Sequence, residues 1–204
     1  FNVKEMIEIR EKYDLSKDDF IFMYVGRLAK EKGIGKLVEA FNKLHNENAK
    51  LLIIGGKQNG QEKFYKNLKK KISNNPNIIY VGYVNYNESN KIYSIADVGI
   101  VPSICNEAFG LTLVEFMSLG KPVIISNRGA LPEIAGIEEN TRVAVYNKNY
   151  VDNLKNEMKY FLNLKSGNFI NIKQQSLNRA KKYTKEIYFE NFLTLIEEEK
   201  NEKK

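Results

Sequence analysis

The sequence predicts an α/β fold: a doubly wound parallel sheet followed by C-terminal helices. Three observations predict it. Six short, continuous apolar runs punctuate the chain up to Tyr146, amphipathic segments of helical spacing lie between them, and beyond Tyr146 only helical patterns remain. Strand and helix in alternation imply βαβ units, and those imply parallel strands.

Taken in order, strands are expected at residues 20–25, 51–54, 78–81, 98–101, 122–125 and 142–146. The first five are apolar throughout, as strands covered on both faces should be, and the sixth opens on Arg142. The first helix is expected over residues 33–46, where Ile34, Leu37, Val38, Phe41 and Leu44 share one face. Phe64, Leu68 and Ile72 mark a second helix, and Ile92 and Ile95 a third. A fourth is expected over residues 108–119, closed by Gly120 with Pro122 just beyond. Leu154, Met158, Phe161 and Leu162 form a further stripe, and residues 172–183 and 187–196 suggest two more helices. The expected organisation is one domain over residues 1–204, with an α/β core at about 15–147 and a helical extension at about 148–204.

The chain has 204 residues, 43% hydrophobic and 28% charged, with a formal net charge of +7. That balance describes a folded domain, not a disordered one. The positive surplus admits a nucleotide diphosphate, an acidic membrane surface or a nucleic acid, and does not choose among them. In Lys69-Lys70-Lys71 and the tail Asn201-Glu202-Lys203-Lys204 it reads most simply as a solvated face. Recognisable nucleic-acid modules and interleaved aromatics on a basic face are lacking, so no nucleic-acid partner is expected. The single cysteine, Cys105, precludes an intrachain disulfide and speaks against a Cys-based metal site. No apolar run is long enough to span a membrane. The chain opens at Phe1-Asn2 with no initiator Met, as an excised piece of a longer protein would. The expected location is cytoplasmic.

Ligands of a doubly wound sheet bind beyond the carboxyl ends of the strands, near the topological switch point. The first strand is followed by Gly26-Arg27-Leu28-Ala29-Lys30-Glu31-Lys32-Gly33. Gly26 permits a tight turn, Arg27 offers a planar fork of donors, and Lys32 supplies a point charge. The segment reads either as a diphosphate clamp or as a polar loop with surface cations. A dinucleotide site would need G-x-G-x-x-G here, and Gly26 does not begin one. The fourth strand is followed by a segment carrying Glu107, Phe109, Gly110, Leu111 and Glu115. Gly110 is expected in the first helical turn, where unbonded amides and the helix dipole make an anion site. Glu107 is either a ligand contact or an N-cap or first-turn acid. Glu115 is either a ligand contact or a solvent-facing helix residue, although Leu111, Val114 and Phe116 surround it with apolar positions. His45, late in the first helix, reads as a surface or capping residue, and Cys105 as a small residue lining a loop.

The two segments together resemble the C-terminal, donor-binding domain of the family-4 retaining glycosyltransferases of GT-B architecture. The family's G-R-L-x-x-E-K-G and E-x-F-G-x-x-x-x-E stretches are both intact, about eighty residues apart. Ala96-Asp97, Gly120-Lys121-Pro122-Val123 and Ala130-Leu131-Pro132-Glu133, a weak counterpart of G-x-P-E, extend the likeness. It departs at Asn127-Arg128-Gly129-Ala130-Leu131, where the family often has a Gly pair. The resemblance implies a Rossmann-like domain whose N-terminal acceptor domain is absent from this chain, leaving a piece with little or no turnover. It implies that Arg27 and Lys32 hold the diphosphate and that Glu107 contacts donor-sugar hydroxyls, these three being catalytic. Gly26 would shape the turn, and the amides of Phe109, Gly110 and Leu111 would face the sugar and distal phosphate. Glu115 would accept from ribose hydroxyls, with Tyr83 and Val84 against the base. No D-x-D motif is present, so no metal and no cofactor is expected. The implied donor is a UDP-sugar, with a GDP-sugar second. The acceptor would be a sugar or lipid-linked sugar, met at the inner face of a bacterial membrane in polysaccharide, glycolipid or glycoconjugate synthesis. The alternative is a non-catalytic nucleotide-sugar-binding or partner subunit.

Overall fold

The computed structural model describes residues 2–136, 140–165 and 167–202, so Phe1 and the last two tail lysines lie outside it. The six expected strands form: β1 (Phe20–Val25), β2 (Ala49–Ile54), β3 (Ile78–Gly82), β4 (Val98–Val101), β5 (Val123–Ser126) and β6 (Thr141–Ala144). They make one sheet in the order β3-β2-β1-β4-β5-β6, every neighbouring pair parallel.

Side chains alternate between the two faces of a strand. Phe22, Tyr24, Leu51, Ile53, Val98, Ile100 and Ile124 accordingly pack in one apolar cluster. Ile21, Met23, Leu52, Ile54, Val101, Val123 and Ile125 pack in the other. Both faces are covered, which is why the strands carry no polar alternation. The first cluster is closed by α2 (Ile34–Asn42), α3 (Glu62–Ser73) and α7 (Tyr150–Leu162), through Leu37, Phe41, Leu68, Ile72, Leu154 and Met158. The second is closed by α1 (Val3–Lys12), α4 (Tyr86–Ser94), α5 (Leu111–Ser118), α6 (Leu131–Ala135) and α8 (Asn168–Ala180). The helices beyond residue 147 therefore include two, α7 and α8, that complete the layers. The last, α9 (Lys185–Glu202), leaves Tyr188, Phe189 and Leu195 largely exposed. Lys69, Lys70 and Lys71 are exposed on α3, a solvated face.

Four elements differ from expectation. α1 was not expected, because its apolar residues Val3, Met6, Ile7 and Ile9 are few and none of its residues is buried. The first helix stops at Asn42, so His45 is not helical; it sits exposed in the following turn with φ 49°. Asn46 accepts from the amides of Asn48 and Ala49, and this local turn competes with helix continuation. The fourth helix begins at Leu111, because Gly110 is its N-cap with φ 90° and not a first-turn residue. Short α6 was not legible, being five residues with a proline near its start, too few for a helical period.

Gly99 lies inside β4 between Met23 and Val123. A Cβ there would fall 2.3 Å from the Phe116 ring, so α5 rides directly on β4. Gly99→Ala is expected to destabilise the fold by about 1–3 kcal/mol through overpacking. Denaturant unfolding measures it, and an unchanged midpoint would refute the close approach.

Candidate functional site

β1 and β4 are neighbours, but the chain leaves them towards opposite faces: β1 leads to α2 and β4 to α5. The crevice between their carboxyl ends is the switch point. Two hollows open there and share Val25 and Gly26 as a wall. One, about 340 Å³, is lined by Lys32, Ser103, Glu107, Phe109, Gly110 and Leu111. The other, about 440 Å³, is lined by Arg27, Gly55, Tyr83, Val84, Tyr93 and Glu115. Each residue that the resemblance placed at the donor site thus borders one or both, whereas His45 and Cys105 border neither. A larger, shallower hollow of about 630 Å³ beside Lys30, Gln61, Phe64 and Ile104 contains none of them.

The first hollow is organised by Glu107. Lys32 Nζ donates to its Oε1 at 2.6 Å, and Ser103 Oγ donates to the same oxygen. Burial opposes ionisation of this carboxyl. The hydrogen bonds from Lys32 and Ser103, with the charges of Lys32 and Arg27, outweigh that and hold its pKa below the ordinary value. Gly110 caps α5 and Glu107 lies three residues upstream, so the N-cap alternative for Glu107 is excluded. The loop after β5 clasps the Glu107 backbone: the Ala130 amide donates to its carbonyl at 2.8 Å, and Gly129 bridges it. A Cβ on Gly129 would fall 2.2 Å from that carbonyl oxygen, and its φ is +60°, so this clasp requires glycine. Cys105 Sγ lies 4.0 Å from Glu107 Oε1 and lines the loop.

The amides of Leu111 and Thr112 precede the hydrogen-bond ladder of α5, which starts where Leu113 donates to the Gly110 carbonyl at 2.9 Å, and no acidic side chain sits in that turn to neutralise them. Leu111 borders the hollow and is 70% exposed. Phe109 packs edge-on against Tyr183, 5.6 Å between ring centroids.

Around the second hollow, Arg27 is exposed and donates to Gln58 Oε1 at 2.7 Å. Its carbonyl accepts from the buried Tyr24 hydroxyl at 2.7 Å, and the Leu28 amide donates to Gly56. These bonds tie the loop after β1 to the loop after β2. Burial first, and then the charge of Glu107, pushes the Tyr24 phenol well up from its ordinary pKa. Glu115 is half-buried and accepts from Tyr93 Oη at 2.7 Å, so the solvent-facing alternative is excluded. Tyr24, Gln58, Ser103 and Tyr93 escaped the sequence reading. Three of them stand within four residues of a strand's carboxyl end, and that polar clustering was the available signal.

Cations, free amides and two carboxylates therefore converge on one crevice, suited to an anion joined to hydroxyl-bearing groups. The fold is that of the Rossmann-like domains of GT-B glycosyltransferases. It matches a glycosyltransferase of Rickettsia africae with a TM-score of 0.84 and 24% identity, covering 97% of this chain and 52% of that one. It also matches HepE of Anabaena, crystallised with UDP and glucose, with a TM-score of 0.81 and 18% identity, covering 96% of this chain and 52% of that one. The sequence profile of the family Glycosyl transferases group 1 matches residues 5–186, and the chain belongs to that family. An uncharacterised glycosyltransferase of Methanocaldococcus jannaschii is 35% identical over 147 residues, 72% of this chain and 37% of the relative. The alpha-monoglucosyldiacylglycerol synthase of Acholeplasma laidlawii is 29% identical over 213 residues, all of this chain and 50% of the relative. The chain thus spans half or less of the length of these relatives. Among the described residues no helix is long and apolar enough to cross a membrane.

Because the folded-state pKa of Glu107 is depressed, its contribution to stability is present above the unfolded value and is lost as pH falls through the folded one. The stability gap between the wild type and Glu107→Gln is therefore expected to shrink on acidification below the ordinary glutamate range. Urea unfolding across pH reads it, and a gap that does not change with pH would contradict the assignment.

Proposed function

We propose that this chain is the donor-binding half of a family-4, retaining GT-B glycosyltransferase. The observation that carries the reading is the junction of the two hollows at Val25 and Gly26. A sugar nucleotide has a sugar, a diphosphate and a nucleoside in line, and the crevice offers matching groups in that order. Glu107 takes the sugar hydroxyls. Lys32, Arg27 and the first-turn amides of α5 take the diphosphate. Glu115 takes the ribose, and Tyr83 and Val84 take the base.

In the transfer, the bond from the anomeric carbon to phosphate oxygen breaks and a bond to the acceptor oxygen forms on the same face. The acceptor proton passes to the departing diphosphate. Negative charge grows on that diphosphate, so fixed cations and amides aimed at it stabilise the transition state more than the ground state. Lys32 is partly neutralised by Glu107, whereas among the described residues Arg27 has only the neutral Gln58 as a side-chain hydrogen-bond partner. Arg27 therefore supplies the less compensated charge. We assign the electrostatic role to these side chains and none to a metal, and we assign no side-chain nucleophile. A UDP-sugar is the favoured donor and a GDP-sugar the second; the UDP in the Anabaena neighbour supports the choice. A second domain would bind a sugar or lipid-linked acceptor at the inner face of the membrane. The relatives' greater length and the exposed apolar stripe of α9 support that domain.

Thermal unfolding with UDP, GDP, ADP and NAD, with and without magnesium, tests the reading. A ligand at a hundred times its dissociation constant is expected to add roughly 2.7 kcal/mol, with one nucleoside diphosphate standing out independently of magnesium. Arg27→Ala should weaken that ligand by about 1.5–3 kcal/mol. It is a cleaner test than Lys32→Ala, which also leaves Glu107 without its cation. No shift with any nucleotide, in this chain and in the full-length protein alike, would sink the proposal.

A further inference from the structure

We propose that Tyr93 is a positioning residue that tethers Glu115, and that the tethered carboxylate makes the site select ribonucleoside over 2′-deoxyribonucleoside diphosphates. This rests on the donor-half reading. Tyr93 comes from α4, outside both segments that flagged the site, and is 2% exposed. Its ring packs against Phe116, 4.7 Å between centroids and tilted by 59°. Phe116 follows Glu115 in α5, so the same tyrosine touches both residues: by its ring the core-facing one, by its hydroxyl the site-facing one. A ring held in a core cannot swing its hydroxyl away.

Tyr93 Oη donates its one proton to Glu115 Oε2 at 2.7 Å. Among the described residues, Glu115 takes no other side-chain hydrogen bond and no cation lies within ion-pair distance of it. One carboxylate oxygen is thus anchored, and the other keeps its acceptor capacity on a residue that lines the second hollow. A vicinal diol presents two donors to two carboxylate oxygens, a bidentate arrangement that needs the carboxylate held at a fixed angle. An untethered glutamate would lose rotamer freedom on binding; here that freedom is already lost in the folded protein. A ligand lacking the 2′-hydroxyl leaves a desolvated acceptor unpaired, the kind of mismatch that polar sites reject strongly.

Dissociation constants for UDP, 2′-deoxy-UDP and pyrophosphate, measured on the full-length wild type, Tyr93→Phe, Glu115→Ala and the double variant, test it. Tyr93→Phe keeps the ring on Phe116 and is expected to weaken UDP roughly threefold to tenfold, the cost of ordering a side chain that the wild type already holds in place. Pyrophosphate affinity should not change, and the preference for UDP over 2′-deoxy-UDP should fall. In the Glu115→Ala background the tyrosine substitution should add nothing, because its effect passes through the carboxylate. Unchanged UDP affinity in Tyr93→Phe, or a loss shared equally by pyrophosphate, overturns the tether and leaves the donor reading standing. A wild type that binds UDP and 2′-deoxy-UDP equally overturns the selectivity without recourse to any variant. A wild type that binds none of the three overturns both readings.

Discussion

Asp97 accepts the Ile21 amide through its carboxylate at 2.7 Å and donates its own amide to the Ile21 carbonyl at 2.8 Å. This reciprocal pair joins β1 to the start of β4, which are otherwise in register only at Phe22 with Val98 and Met23 with Gly99. The seam is the switch point of the sheet, and the rest of the site hangs from it. Burial pushes the Asp97 carboxyl up from its ordinary pKa, and the Ile21 amide with Arg10, Lys121 and Lys173 counters that rise. Burial in turn brings Lys121 down to about 8, with Asp97 opposing the fall. The fold thus places a buried acid and a cation at the amino ends of the strands, far along the sheet from the crevice their pairing creates.

From that seam the polar groups are fixed in successive layers. Gly99 lets Phe116 press onto β4, and this sets where the amide end of α5 stands. Tyr93 packs on Phe116 and reaches Glu115 in the same contact. The loop after β5 grips the backbone of Glu107, while Lys32 and Ser103 grip its side chain. A carboxylate this enclosed is tolerable because Lys32 and Ser103 both donate to its Oε1. Glu107 and Glu115 are thus held by side chains of the protein itself, Glu107 by Lys32 and Ser103 and Glu115 by Tyr93.

The sequence by itself determined the class of fold. A strand covered on both faces is apolar over most of its length and a helix on a sheet is apolar along one stripe, so the six strands and most helices could be read from local composition. It also singled out the two segments, carrying Arg27 and Lys32 and then Glu107 and Glu115, whose polar residues the fold brings to one crevice. Helix ends were less legible, because the αL geometry at Gly110 and the Asn46 turn are settled by hydrogen bonds only a few atoms in extent. What only the tertiary structure decided is pairing at long range. Lys32 meets Glu107 across 75 positions, Arg27 meets Gln58 across 31 and Tyr93 meets Glu115 across 22. No local pattern encodes such meetings. The strand order 3-2-1-4-5-6 sets β1 between β2 and β4, which brings Arg27 to Gln58 and Lys32 to Glu107, and the packing of α4 beside α5 brings Tyr93 to Glu115.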